Sequence, residues 1–122
     1  MPSRVYWIDH PWILSVDFSG QVTPADVKSA AQECLAAVQH QPVYFIIDMA
    51  EAQSVAPAVL ELPTFSEWIY HPNARWFAYV HPPGLFKSLI QVRQRDTGKL
   101  FNDRQSALDF LHRAVQYATR GS

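Results

Sequence analysis

The chain has one cysteine, Cys34, so no internal disulfide can form and the fold has to be held by its own core, as expected of a protein in a reducing, cytoplasmic setting. Glycine is almost as scarce. Four glycines are too few for a P-loop or a dinucleotide-binding fingerprint, and no G-x-S-x-G elbow offers a hydrolase serine. No apolar run approaches the roughly 18 residues that a membrane-spanning helix requires. The stretch around Arg4 lacks the apolar segment and small-residue cleavage site of a signal peptide, and none is expected. Five histidines are present (His10, His40, His71, His81 and His112), but no two have helical ligand spacing with a helper carboxylate. With no cysteine cluster either, neither a zinc site nor a cofactor is expected. Three of the histidines precede proline, which places them at turns and strand ends. The formal net charge of −1 weighs against nonspecific nucleic-acid binding.

What the chain does have is a continuous apolar run, Val43-Tyr44-Phe45-Ile46-Ile47, that ends on a carboxylate, Asp48. An unbroken run of this kind predicts a strand covered on both faces, as in a parallel or mixed α/β sheet. Ligands and partners of such sheets sit beyond the carboxyl ends of the strands, which directs attention to Asp48 and the segment after it. With 48% hydrophobic residues in 122, a single domain over 1–122 is expected, with its core at about 5–117.

On either side of that run the pattern alternates between strand and helix. Val5–Ile8 and Trp12–Phe18 are β-rich and separated by Asp9-His10-Pro11, which predicts an antiparallel hairpin whose second strand ends at Ser19-Gly20. Thr23 caps a helix with Pro24 at its first position and Asp26 three residues after the cap. Its core stripe is Val27, Ala30, Ala31, Cys34, Leu35 and Val38; on that stripe Cys34 reads as a small core residue, and Glu33 beside it disfavours a reactive thiolate. A capping box of Thr64 and Glu67 predicts a short helix from Thr64 to Tyr70. Arg75–His81 is the next strand, followed by a helix with Leu85, Phe86, Leu89, Ile90 and Val92 inward, Lys87, Arg93 and Arg95 outward, and Gly98 as its C-terminal glycine. Lys99–Phe101 is a short edge strand, and Asn102 or Asp103 caps a last helix with Ala107, Leu108, Leu111, Ala114, Val115 and Ala118 as its stripe. The order is β-β-α-β-α-β-α-β-α: a mixed, mostly parallel sheet of four to five strands flanked by helices, its crossovers right-handed.

This order resembles the STAS superfamily, in particular the SpoIIAA-like branch of bacterial anti-sigma-factor antagonists. The residues that carry the resemblance are Trp12-Ile13-Leu14 through Gly20, Val43 to Asp48, His71-Pro72 before Arg75-Trp76, and Ser106-Ala107-Leu108-Asp109-Phe110-Leu111. The resemblance implies a non-enzymatic regulatory module that binds a protein partner, in which a serine two positions after the strand-ending aspartate is phosphorylated by a partner kinase to switch binding off. That position here is Ala50, which has no hydroxyl; Ser54 is the nearest substitute on the same stretch.

The expected binding surface is the region formed by Asp48–Ser54 and His81–Lys87, with Asp48, Gln53, Ser54, His81, Gly84, Lys87 and Arg93 as candidate contacts and no catalytic or metal-binding residue. Two other readings carry their own tests. A carrier of an apolar or amphipathic small molecule would need a sizeable pocket lined by residues such as Phe45, Phe77, Phe86 and Ile90. An enzyme using Asp48 and His81 would need those side chains within hydrogen-bond reach. Asp48 near Glu51 suggests paired carboxylates, against the plainer role of an Asp capping its following turn. Lys87, Arg93, Arg95, Lys99 and Arg104 read either as a solvated helix face or as a site for a phosphate or acidic partner. Most tryptophans belong to the core, while Trp68 and Tyr70, if exposed, would mark an interface. An edge strand and spare aromatics also suit a homodimer. Charge is divided along the chain: residues 1–67 hold eight acids against two bases, and residues 68–122 eight bases against three acids. Such a dipole favours oriented association if the fold keeps the two halves apart.

Overall fold

A computed structural model of the chain describes residues 3–56, 68, 70–93 and 97–120, with their side chains except those of residues 85, 86, 89, 92, 93 and 120. Along the chain come β1 (Ser3–Asp9), β2 (Ile13–Val22), α1 (Pro24–Val38), β3 (Val43–Val55), β4 (Ala74–Val80), α2 (Gly84–Arg93), β5 (Gly98–Phe101) and α3 (Arg104–Arg120). The strands form one five-stranded sheet in the order β1-β2-β3-β4-β5. β1 is antiparallel to β2, as the hairpin pattern requires, and every other neighbouring pair is parallel. The helix expected over Thr64–Tyr70 lies largely outside the described residues, as do the side chains of Leu85, Phe86, Leu89, Val92, Arg93 and Arg95.

β3 is central because both its faces are covered. On one face Phe45 and Ile47 join Leu14, Val16 and Phe18 of β2 and Phe77 and Tyr79 of β4 beneath Val27, Ala30, Ala31, Cys34 and Val38 of α1. On the other face Tyr44 and Ile46 join Ile13, Ala78 and Val80 beneath Ala107, Leu111 and Val115 of α3. The period-2 alternation of side chains thus meets an apolar helical stripe on each side, which explains why the run carries no polar residue until Asp48. Phe45 and Phe77 are register partners, their rings stacked at 5.1 Å and 8°, and Trp68 packs edge-on against both at 4.9 and 5.1 Å. Trp68 is therefore a core residue. Its Nε1 has no partner among the described residues, while Tyr70 is 60% exposed.

Two expectations are corrected. β2 does not stop at Ser19-Gly20 and β3 does not stop at Asp48; the two run on together to Val22 and Val55. The extension passes two register shifts, and Gly20 sits there at φ +62, a conformation glycine adopts without a Cβ penalty. The turn signal was a bulge. Gly98 does not end a helix but opens β5 opposite Phe77. Among the described residues, the void beside Trp68, lined by residues including Val16, Phe18, Ile47, Met49 and Tyr79, is about 20 Å3, room for roughly one water. Phe45 and Phe77 fill their part of the interior with each other.

The helix starts follow their local chemistry. Thr23 and Asp26 form a reciprocal capping box with Pro24 at N1. Burial, with Glu33's charge beside it, pushes the Cys34 thiol far up, so it is a core side chain and not a nucleophile. Asp103 caps α3 by accepting from the Ser106 backbone N–H (2.7 Å) and hydroxyl (2.9 Å). Those bonds, with a smaller contribution from His81, hold its carboxyl below the usual range. A group with a depressed folded pKa stabilises above its unfolded value and loses that contribution as pH falls through the folded one. D103A is therefore expected to melt about 5 °C below the wild type at pH 7. In thermal scans the gap should close as pH drops well below about 3.9.

Candidate functional site

Four elements converge where β2 and β3 pass the end of β4. On β2, Ile13, Ser15 and Asp17 point to the α3 side; on β3, Tyr44, Ile46 and Asp48 do the same. Asp17 and Asp48 are direct register partners, so two carboxylates stand side by side on neighbouring parallel strands. Like charges so placed destabilise a sheet unless a cation lies between them. Arg104, the first residue of α3, supplies it: Nη1 donates to Asp48 Oδ2 at 2.9 Å and to Asp17 Oδ1 at 3.3 Å. Its Nη2 donates to the Tyr6 hydroxyl at 2.8 Å and to Ser15 Oγ at 3.1 Å. Tyr6 in turn donates to Asp17 Oδ2 at 2.7 Å, and Ser15 donates to Asp17 Oδ1 at 2.6 Å. Asp48 Oδ1 accepts from the Ala50 backbone N–H at 3.0 Å.

Each carboxylate oxygen of the pair accepts at least one hydrogen bond, and fully buried Ser15 is satisfied in both directions. Burial alone would lower the Arg104 pKa; the bond to Asp48 and the charge of Asp17 reverse that and hold it above its ordinary value. A cation at a helix N-terminus opposes the helix dipole, a cost these two carboxylates offset. Beside the network an open depression of about 250 Å3 is lined by Arg4, Asp17, Phe18, Ser19, Asp48, Ala50 and Glu51. Glu51 and Ala50 are exposed on its lip.

The residues named from the sequence separate into groups. Asp48 lies in the network and accepts from the Ala50 N–H at a register shift within β3 rather than capping a turn; its carboxylate partner is Asp17, not Glu51. Gln53 and Ser54 are exposed on the protruding end of β3, in a strand rather than a loop. His81 follows β4 at φ +51, exposed, with its N–H donating to Phe101 O at 3.3 Å and its charge bearing on Asp103. Gly84 and Lys87 are exposed on α2; the Arg93 side chain lies outside the described residues. Asp48 is bonded by Arg104 and the Ala50 N–H, and no hydrogen bond joins it to His81 among the described residues. Arg104 is not a freely solvated cation, since its guanidinium is paired with Asp17 and Asp48. With Tyr6, Ser15 and Asp17 it was missed as a site residue; the one signal was the polar pair Ser15 and Asp17 interrupting an otherwise apolar strand.

This architecture is a SpoIIAA-like fold. An uncharacterized Shewanella loihica protein with a SpoIIAA-like fold superposes with a TM-score of 0.65 at 17% identity, over 89% of this chain and 91% of that one. The phosphorylated form of the Bacillus cell fate determinant SpoIIAA matches with 0.66 at 12%, over 89% and 98%. An anti-sigma factor antagonist from Mycobacterium paratuberculosis matches with 0.60 at 19%, over 90% and 92%. No protein-family model and no curated protein matches the sequence.

Proposed function

We propose that the chain is a non-enzymatic regulatory module, acting in the cytoplasm, that docks a partner protein on the surface running from the Asp48 depression along the β3 extension to α2. Asp48, Gln53, Ser54, His81, Gly84, Lys87 and Arg93 are its candidate contacts. The observation that carries this reading is the Arg104 network. Its carboxylates are locked by hydrogen bonds, which suits a rigid recognition surface better than proton transfer. One of the similar structures, from Mycobacterium paratuberculosis, is an anti-sigma factor antagonist, which supports a protein partner. Ala50, on the lip of the depression, replaces the serine that such antagonists use as a switch. Docking here is then independent of phosphorylation at that position.

A photo-crosslinker placed at Ser54 should capture the same partner that one at exposed Arg113 on α3 does not. Ala50→Asp adds a third carboxylate beside Asp48 and Glu51, and should weaken that capture at least tenfold at unchanged melting temperature; Ala50→Ser should not. Equal capture at both crosslinker positions, or indifference to Ala50→Asp, refutes the proposal.

A further inference from the structure

A second concavity lies at the opposite end of the sheet, where β2, β3 and β4 begin and α3 ends. An open groove of about 420 Å3 is lined by Trp12, Pro42, Tyr44, Arg75, Ala118 and Thr119. That volume falls in the range of roughly 300–1,000 Å3 usual for small-molecule sites. The Tyr44 ring is 4% exposed, yet its hydroxyl lies at the groove and has no hydrogen-bond partner among the described residues. The ring is held in the core, and the hydroxyl is not among the fully buried unpaired atoms, so it is accessible to a ligand in the groove. Arg75 lines the same groove, exposed and with no ion pair or hydrogen bond among the described residues, close enough for its charge to bear on Tyr44. It is the one charged residue among the described residues of the lining.

A helix C-terminus would ordinarily repel an anion placed beside it. Here the Thr119 hydroxyl is shared between the carbonyls of Val115 (3.0 Å) and Gln116 (3.2 Å), which takes up part of that negative end. Half-buried Trp12 and Pro42 add an apolar wall. A guanidinium and a phenol, both with free donors beside an apolar surface, match a carboxylate attached to an apolar body.

We propose that this groove binds a small amphipathic carboxylate, its head held by Arg75 and the Tyr44 hydroxyl and its body laid on Trp12 and Pro42. The site is separate from the docking surface and does not depend on it. Titration calorimetry with 3-phenylpropionate and decanoate, against their uncharged primary amides, tests it directly. At least one carboxylate should bind saturably, at least tenfold tighter than its amide. Arg75→Gln should weaken it at least tenfold and Tyr44→Phe, which keeps the ring in the core, about threefold to tenfold. Arg113→Gln, which removes an exposed charge elsewhere on α3, should change nothing, and circular dichroism should show all three variants folded. Acid and amide binding equally, neither acid saturating by about 10 mM, or undiminished binding by Arg75→Gln would overturn the proposal.

Discussion

Arg104→Met should lower the free energy of unfolding by about 2–3 kcal/mol, measured by urea denaturation at pH 7. Methionine keeps most of the side-chain volume but none of the donors, so what is lost is the pairing. Asp17 and Asp48 remain adjacent in register, and the Ser15 and Tyr6 hydroxyls lose the group that donates to them. The effect stays below the roughly 3–5 kcal/mol of a fully buried broken pair because Arg104 and Asp17 side chains are each 31% exposed and Asp48 17%. The clearer signature is coupling. Asp48→Asn should cost stability in the wild type, where it weakens the bond to Arg104, and should cost less or add stability in the Arg104→Met background, where it removes a repulsion. A double-mutant cycle with coupling below about 0.5 kcal/mol would show that the network contributes shape and no net energy.

A larger loss, about 3–5 kcal/mol, is expected from Phe45→Ala. Phe45 is fully buried, stacked on its register partner Phe77 and capped edge-on by Trp68. Truncation removes both ring contacts and opens a cavity beside a void that already exists, at a point where the sheet backbone is paired on both sides and cannot collapse to fill it. Phe45→Leu should cost considerably less, because most of the volume is kept. The midpoints of the two unfolding curves decide it. Near-equal midpoints would mean that the core beneath α1 repacks freely, and that β3 is less tightly held than its burial implies.

These two residues also separate what was legible in the sequence from what was not. Phe45 announces itself: it sits in a run with no polar alternation, and only a strand covered on both faces tolerates that. The hairpin, the capping box at Thr23 and the stripes of α1 and α3 are equally local, each read from residues a few positions apart. The end of β3 was not legible, since Asp48 and Ser19-Gly20 look like strand terminators. Whether such residues stop a strand or bulge within it depends on whether a neighbouring strand continues alongside. Arg104 was still less accessible. Its partners lie 56 and 87 positions earlier, so nothing in its surroundings distinguishes it from the other bases nearby. The charge division between the halves is not carried into space there, because a base of the second half is seated between two acids of the first.

Sequence alone therefore determined the class of fold, the interior strand and the helix boundaries that short-range chemistry sets, because periodicity and capping act within one or two turns. Tertiary structure alone decided which polar residues meet: the Asp17–Asp48–Arg104 cluster at one end of the sheet, and Tyr44 with Arg75 at the other. Such meetings are fixed by strand register and by where each helix begins and ends against the sheet. Electrostatic pairing then acts on distances that chain separation does not encode.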